Sequence, residues 1–441
     1  MDSNNKKVFK MQDHIPNGWK YQSLYDLAEY INGKAFKQSE LSDKGLPVIK
    51  IAELHNGITT STKYYNGKIE DWFYLKGGEL LFAWSGSVGV FVWKDGPAVL
   101  NQHIFKVNAK TGVDQRFLRY LLEYHMPIFK LLVKDKATTM GHVRIEDLKN
   151  IEAAVPPLQE QYKIAEILGS LDDKIELNHE MNKPLEAIAQ AIYENWFVDF
   201  EPFKDKLVYN KELGKKIPEE WEVRKISELF DMVKGRKCDL LEKCRDASEG
   251  CLPYLTIETF EEGALKYWTK EKQPFVEIED IVLVADGERA GKILRFKTGV
   301  LGSTLLMLKQ KSKNYDLRNY VFLLLKDMER ELMRHKTGSA VPHLDKGYLA
   351  NLKIIIPQPP SIIENFNKFV KPIFEKIILN LEEIATLRSI RDALLPKLLS
   401  GEIRVKVDVE KEFPVETKKL EEIKEEKAKI QVSLEKWLKN G

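Results

Sequence analysis

An internal repeat constrains the fold of this 441-residue chain more than any other feature. Ile15-Pro16 and Trp19 recur as Ile217-Pro218 and Trp221, a displacement of 202 residues. The same displacement continues along the chain in the pairs Leu27/Leu229, Gly33/Gly235, Ala83/Ala285, Gly89/Gly291, Pro157/Pro359, Lys174/Lys376 and Glu180/Glu382. Because unrelated segments drift in register, a constant displacement indicates two copies of one structural unit. Two copies are too few for a solenoid, so each is expected to be a globular domain with a connector.

The connectors carry long apolar patterns in alternating steps of four and three residues. This is the 3.5-residue period of a coiled-coil seam, and it runs from Ile164 to Trp196 and again from Phe366 to Leu398. Each pattern predicts a helix of roughly 36 residues, about 55 Å long at 1.5 Å per residue. Pro184 is expected to kink the first helix.

Each seam carries an asparagine at the same place, Asn178 in the first and Asn380 in the second. A buried asparagine at a seam costs stability and fixes register, so both are predicted helix-register residues that pair with each other. Two solvated asparagines are an equal alternative. Antiparallel pairing of the helices would place one globular domain at each end, related by a pseudo-two-fold axis, and the helices could also bind partners.

Each globular part mixes short β-rich runs with helices, for example 48–54, 104–107 and 115–133 in the first copy. This mixture indicates an α+β fold with mostly antiparallel sheets. The predicted architecture is therefore two tandem α/β-mixed domains separated by two long antiparallel coiled-coil helices. The expected boundaries are 1–157 for the first domain, 158–200 for the first helix, 201–358 for a linker and the second domain, 359–403 for the second helix and 404–441 for a charged tail.

Composition limits the classes of partner and compartment. Hydrophobic residues make up 43% and charged residues 31%, with a net charge of +2, so local basic patches must meet any anionic partner. The sequence shows no signal peptide or membrane span, which predicts a cytoplasmic protein. The spacing of Cys238, Cys244 and Cys251 does not match a zinc site, so reduced thiols and no metal site are expected.

Catalytic motifs are missing from the sequence. Between Gly287 and Gly291 there are three residues where a P-loop has four. Asp280, Asp286 and Glu288 suggest nuclease metal ligands, but the first copy has no matching acidic cluster. We therefore expect no catalytic residues in this chain. Two other functions stay open as alternatives, a solitary DNA-modifying enzyme and a protein-binding coiled-coil adaptor.

The loops of both copies carry polar residues that differ while the framework repeats, as expected for two related domains that read different DNA sequences. Arg and Lys suit guanine edges or phosphates, and Asn and Gln can bond adenine. The candidate DNA contacts of the first copy are Lys34, Lys50, Ser85, Ser87, Asn101, Gln102, His103, Thr138, Thr139, His142 and Arg144. Those of the second copy are Arg236, Lys237, Glu288, Arg289, Lys292, Ser303, Thr304, Lys336, Thr337, Ser339 and His343. Several of them could instead satisfy local backbone groups.

The order and doubling of several motifs carry a resemblance. These motifs are IPNGW (15–19), IPEEW (217–221), FAWSGSVG (82–89), NQHIFKV (101–107), VPPLQEQYKIAEILGSLDDKI (155–175) and LLPKLLSGEI (394–403). With them the chain resembles, over nearly its whole length, the specificity subunits of type I restriction-modification systems. The second copy departs from this pattern, because FAWSGSVG becomes LVADGERAG and NQH becomes GST.

The resemblance implies two target recognition domains that read the halves of a bipartite site in double-stranded DNA. The helices would fix the spacer between the halves. Partners would be two modification subunits, which bind S-adenosylmethionine and methylate adenine, and ATP-dependent restriction subunits. S-adenosylmethionine, ATP and Mg²⁺ would therefore bind only to partner subunits, and this chain would need no cofactor.

Overall fold

The computed structural model describes residues 8–12, 14–135, 141–241, 250–261, 263, 265–312, 314–338 and 341–406. The chain divides into two compact units: the first is Met1–Asp172 with Ser389–Gly441, and the second is Asp173–Arg388. Thr138, Thr139, Ser339 and residues 407–441 of the predicted tail lie outside the described residues.

The first unit is built from short strands and helices. Its strands are β1 (Phe9–Lys10), β2 (Lys20–Ser23), β3 (Ala28–Asn32), β4 (Leu46–Ile49), β5 (Tyr64–Tyr65), β6 (Tyr74–Leu75), β7 (Leu80–Ala83), β8 (Gly89–Val92), β9 (Ala98–Leu100), β10 (Ile104–Ala109) and β11 (Ile151–Val155). Its helices are α1 (Leu24–Leu27), α2 (Ile51–Asn56), α3 (Gln115–Tyr124), α4 (Met126–Asp135) and α5 (Ile145–Asn150). They are followed by α6 (Leu158–Tyr193), which continues into the second unit.

Three sheets form the first unit's described part, with strand orders β1-β11-β2, β3-β10-β7-β8 and β5-β4-β9-β6. In β7, Leu80 and Phe82 pack in the cluster that contains helices α3 and α4, whereas Leu81 and Ala83 pack with the sheet that contains Ile49. Because successive side chains of a strand point to opposite faces, this strand is buried on both sides.

The second unit repeats this arrangement. Its strands are β12 (Leu207–Asn210), β13 (Lys215–Pro218), β14 (Glu222–Lys225), β15 (Phe230–Lys234), β16 (Leu252–Leu255), β17 (Trp268–Thr269), β18 (Phe275–Val276), β19 (Ile281–Val284), β20 (Ile293–Leu294), β21 (Gly299–Leu301), β22 (Leu305–Gln310), β23 (Lys336–Thr337), β24 (His343–Leu344) and β25 (Lys353–Ile356). Its helices are α7 (Ile226–Leu229), α8 (Ile257–Glu261), α9 (Arg318–Asp327), α10 (Glu329–Arg334) and α11 (Lys346–Asn351), followed by α12 (Ser361–Ser400), which continues into the first unit. The sheets β15-β22-β19-β20 and β17-β16-β21-β18 match those of the first unit.

The α+β class and the internal repeat are confirmed, but the displacement between the copies is not constant. It is 202 residues for β3 and β15, 201 for β7 and β19, and 203 for α3 and α9. The predicted pairing of Ala83 with Ala285 is therefore wrong, since Ala83 corresponds to Val284 and Trp84 to Ala285. Loops of unequal length shift the register by one residue at a time.

The long helices α6 and α12 have 36 and 40 residues, and α6 continues through Pro184. Their pairing is antiparallel within each unit. In the first unit Asp172 meets Arg391, and in the second unit Asn182 meets Asn380.

The two predicted register residues are buried, but they do not pair with each other. Asn178 donates from Nδ2 to Glu383 at 2.9 Å, and Asn380 donates from Nδ2 to Asn182 at 2.8 Å. The prediction failed because the register of the antiparallel pair places Asn182, one helical turn after Asn178, opposite Asn380. Both asparagines nevertheless bond across the helix pair of the second unit, so their predicted seam positions are confirmed.

Two further expectations concern cysteines and membranes. Cys238 is free and buried, whereas Cys251 is disulfide-bonded, so the expectation of reduced thiols is wrong for Cys251. Within the described residues, no group of His, Cys, Asp and Glu side chains has the arrangement of a metal site. No helix in the described part of the chain is long and apolar enough to cross a membrane.

Candidate nucleic-acid interface

Four loops of the first unit meet at one end of the sheet β3-β10-β7-β8, and backbone hydrogen bonds join them. Lys34 N–H, after β3, donates to Leu100 O at 2.9 Å. Trp84 N–H, after β7, donates to His103 O at 3.3 Å, and Val143 N–H donates to Trp84 O at 2.9 Å. These loops carry most of the candidate DNA contacts of the first copy, so the structure brings the candidates to one region.

The repeated glycines Gly33 and Gly235 allow two of these loops to touch. A Cβ on Gly33 would lie 2.2 Å from the carbonyl oxygen of Asn101, and one on Gly235 would lie 1.9 Å from that of Gly302. No side chain fits at either place. The glycines therefore hold the following residues, Lys34 and Arg236, against the loop that precedes the central strand.

Trp84 is the centre of the first loop surface, although its side chain was not among the predicted contacts. Its ring lies 5.5 Å from that of His103, 6.0 Å from that of His142 and 5.6 Å from that of Phe105. Its indole N–H donates to Asn32 Oδ1 at 3.1 Å. A half-buried aromatic side chain between polar loop residues was the signal that could have identified it.

The other candidates of the first unit differ in their freedom to bind DNA. Arg144 is exposed, and its Nε donates to His142 Nε2 at 3.2 Å. The ammonium group of Lys34 is paired with Glu40 at 2.9 Å, and this contact raises the pKa of Lys34. Ser85 and Asn101 are buried and serve the loop framework more than its surface. The remaining candidates are exposed or half-buried: Lys50, Ser87, Gln102 and His103.

The second unit repeats the backbone framework. Arg236 N–H donates to Leu301 O at 3.3 Å, Ala285 N–H to Thr304 O at 2.8 Å and Leu344 N–H to Ala285 O at 2.9 Å. These bonds join the same loops as in the first unit. The structure thus places different side chains on equivalent backbone positions.

A charged cluster occupies the place that corresponds to the Trp84 surroundings. Asp286 is hydrogen-bonded to Lys234, and its Oδ1 lies 2.8 Å from Nδ1 of His343. Burial raises the pKa of the Asp286 carboxyl, but the hydrogen bonds and charges of Lys234 and His343 outweigh it and hold that pKa below its ordinary range. Because a carboxylate can only accept, Nδ1 of His343 carries the proton, and Nε2 is left for another partner.

Several cationic candidates of the second unit are already engaged. Arg289 and Lys292 both pair with Glu261, and Lys336 donates to the carbonyl oxygen of Glu288 at 2.5 Å. These contacts join residues that are distant in the sequence. For this reason the sequence did not identify Lys234, Asp286 and Glu261 as members of this surface. Ser303 and Thr304 lie in the loop before β22. The exposed candidates are Arg236, Lys237, Glu288, Arg289, Thr304, Thr337 and His343.

Comparisons with known proteins agree with this doubled architecture. The model of the family described as type I restriction modification DNA specificity domain matches twice, at residues 16–187 and 218–387. The type I restriction enzyme MjaIX specificity subunit of Methanocaldococcus jannaschii is 29% identical over 423 residues, which cover 89% of this chain and 95% of that protein. The MjaVIII specificity subunit of the same organism is 26% identical, covering 89% and 94%.

A solved structure shares the fold. The type I restriction-modification system S subunit from M. genitalium superposes with a TM-score of 0.51 at 18% sequence identity, covering 89% of this chain and 98% of that one.

Proposed function

Because the chain belongs to the type I restriction-modification DNA specificity family, we propose that its two loop surfaces read the two halves of one bipartite DNA site. By family the chain is a specificity subunit, which recognises DNA and is not itself catalytic. The observation that carries the proposal is one backbone framework, present twice, that displays different side chains at equivalent positions. Trp84 and Ser85 in the first unit correspond to Ala285 and Asp286 in the second.

The side chains suit different base edges. In the first unit the amide of Gln102 matches adenine, and the guanidinium of Arg144 matches guanine or a phosphate. In the second unit His343, whose Nδ1 is bonded to Asp286, presents its Nε2 to a base edge in the major groove. Arg236 and Lys237 contact phosphates, which position the domain without reading sequence. The two half-sites therefore differ in sequence.

The long helices set the spacer and hold the partner subunits. Several apolar side chains of α6 and α12 are exposed, among them Leu177, Ile188, Phe369, Leu379 and Ile390. Exposed apolar surface of this kind supports docking of two modification subunits and of restriction subunits. S-adenosylmethionine, ATP and Mg²⁺ belong to those partners, and the assembly acts in the cytoplasm.

Mapping methylated adenines in the source genome tests the proposal directly. Single-molecule sequencing is performed with the chain present, with the chain deleted, and with the deletion complemented. We expect a split motif with a fixed gap that disappears on deletion and returns on complementation. If the partner genes are expressed and the methylation pattern does not change, the chain does not direct modification and the adaptor alternative is favoured.

Shortening the helices tests their role as a spacer. Because Asn182 faces Asn380 in the antiparallel pair, the segments 175–181 and 381–387 face each other. Deleting both segments keeps the Asn182–Asn380 pair and the Asp172–Arg391 pair in register. Seven residues at about 1.5 Å each remove about 10 Å, or about three base pairs at 3.4 Å per step. We expect unchanged half-sites with a shorter gap. Changed half-sites at an unchanged gap would contradict the spacer role.

Binding measurements separate the alternatives. A DNA-reading chain that contacts phosphates must lose affinity steeply as salt rises, whereas a protein adaptor shows no salt-dependent DNA affinity. Saturable binding of S-adenosylmethionine by the isolated chain would instead favour a solitary modifying enzyme.

A further inference from the structure

The second unit contains a cavity of about 750 Å³ between α6, α9, α12 and strand β20. Phe296, Phe322 and Phe374 line it, together with Gln190 of α6 and Arg295, which follows β20. This volume is in the range of small-molecule sites, which are mostly apolar with a few placed polar groups.

Two of the residues that line this cavity carry a buried side-chain donor that has no hydrogen-bond partner among the described residues. They are Nη1 of Arg295 and Nε2 of Gln190. The other edge of the Arg295 guanidinium is occupied, because Nε and Nη2 donate to the carbonyl oxygen of Glu279 at 3.1 and 3.0 Å. Buried N–H groups are rarely left unpaired in folded proteins, so two on one cavity indicate a missing acceptor.

The carboxylates of Asp316, Glu279 and Asp280 act electrostatically on Arg295, but none in the described part of the chain accepts a hydrogen bond from its Nη1. Its guanidinium carbon lies 5.2, 4.9 and 5.3 Å from the ring centroids of Phe296, Phe322 and Phe374. Burial lowers the pKa of Arg295 to about 9, which leaves the side chain charged at neutral pH. Aromatic faces attract a cation, but they do not accept its free N–H groups as a carboxylate does.

We propose that this cavity binds a small organic anion with a single carboxylate, which accepts from Arg295 and Gln190 while its apolar body packs on Phe322 and Phe374. A dianion such as a phosphate monoester fits less well. Lys326 is already paired with Glu329 at 2.8 Å. Acidic and basic side chains line the cavity in equal number, namely Glu186, Glu194, Asp327 and Glu329 with Lys183, Arg295, Lys326 and Arg330. None of the candidate DNA contacts lines this cavity, and the proposal does not depend on the proposed function.

The test is a ¹⁹F NMR titration of the full chain with 4-fluorobenzoate, with the neutral 4-fluorobenzamide as the matched probe. We expect saturable broadening and a shift for the benzoate, and binding about tenfold or more weaker for the benzamide, because loss of a charged hydrogen bond has that effect. Arg295→Met and Gln190→Leu should each weaken benzoate binding by a similar factor.

Arg119→Met is the control, since it removes a half-buried arginine of the first unit and should leave benzoate binding unchanged. Gln190→Leu keeps the test decisive if Arg295→Met does not fold. The proposal is overturned if benzoate at millimolar concentration gives no saturable change, if benzamide binds equally well, or if Gln190→Leu binds benzoate as the original chain does.

Discussion

The two units attach their recognition domains to the long helices with different chemistry. In the first unit Asp172 of α6 pairs with Arg391 of α12 and with Arg119 of α3, each at 2.8 Å. In the second unit the residue equivalent to Asp172 is Phe374, which packs against Phe322 of α9 with ring centroids 5.7 Å apart. One fold therefore accepts either an ion-pair network or aromatic packing at the same junction.

The two candidate loop surfaces show the opposite distribution. The first is centred on the aromatic Trp84, and the second on the charged group of Lys234, Asp286 and His343. What repeats at these surfaces is the backbone, including the contact that Gly33 allows and its equivalent in the second unit. The comparison shows that a loop framework can keep its geometry while the side chains that it displays change.

The largest effect is expected at the charged junction. Replacing Asp172 with Ala removes the carboxylate that Arg119 and Arg391 share and leaves them only Glu123 and Asp392, which should cost about 3 kcal/mol of the first unit's stability. Differential scanning calorimetry would show the first unit unfolding at a lower temperature than in the original chain. Asp392→Ala removes an exposed partner of the same Arg391 and should cost less than about 1 kcal/mol. Equal costs for the two variants would contradict a special role for Asp172.

The glycine contacts test whether the loop framework serves each half-site separately. Gly33→Ala and Gly235→Ala force loops apart and should each cost about 1–3 kcal/mol. Gly33→Ala should relax only one half of the methylated motif, and Gly235→Ala only the other. Each variant is the control for the other, and loss of both halves in either variant would contradict independent reading.

The asparagine pair of the helix seam has an expected effect of similar size. Asn182→Leu or Asn380→Leu alone leaves a buried amide unpaired and should cost about 1–3 kcal/mol. The double replacement removes both polar groups and should recover most of that stability. A double-mutant cycle measured by chemical unfolding gives the coupling, and strict additivity would show that the pair does not act as a unit.

The smallest effect concerns Asp286 and acid. Its pKa is lower in the folded chain than its ordinary value, so its interactions add stability above about pH 4, and this contribution is lost as pH falls through the folded pKa. Asp286→Asn should therefore be less stable than the original chain by less than about 1 kcal/mol at pH 6, with the difference shrinking below pH 4. The free energy of unfolding, measured from pH 3 to pH 6 for both proteins, checks this. A difference that grows in acid would contradict the assigned role.

The spacing of apolar residues predicted the two long helices, and the internal repeat predicted two copies of one domain, because both patterns can be read directly from the sequence. The seam positions of Asn178 and Asn380 and the two copies of an α+β domain follow from the sequence in this way. The partners of those asparagines did not follow, since they depend on which turns of two antiparallel helices meet. The one-residue shift that aligns Trp84 with Ala285 was likewise hidden, because it arises from loop lengths in three dimensions.

The sequence predicted which loops form the candidate surface better than it predicted which side chains belong to it. Polar residues in repeated loops pointed to loops that the structure brings together. Trp84 and Lys234 were missed because an aromatic residue or a lysine near a strand end is common in any core or surface. Glu261 was missed because its pairing with Arg289 and Lys292 joins segments that are far apart in sequence.

The first unit is completed only by residues that follow the whole of the second unit in the sequence. Leu398 and Leu399 are part of its core, and Arg404 pairs with Glu160, which also accepts from the Trp19 indole. During synthesis on the ribosome, residues 173–388 are therefore complete while the first unit still lacks part of its core. We expect the nascent first unit to remain partly open until residues 389–406 have been synthesised. A chain released from a ribosome that stalls near residue 388 would therefore contain a complete second unit and an incomplete first unit.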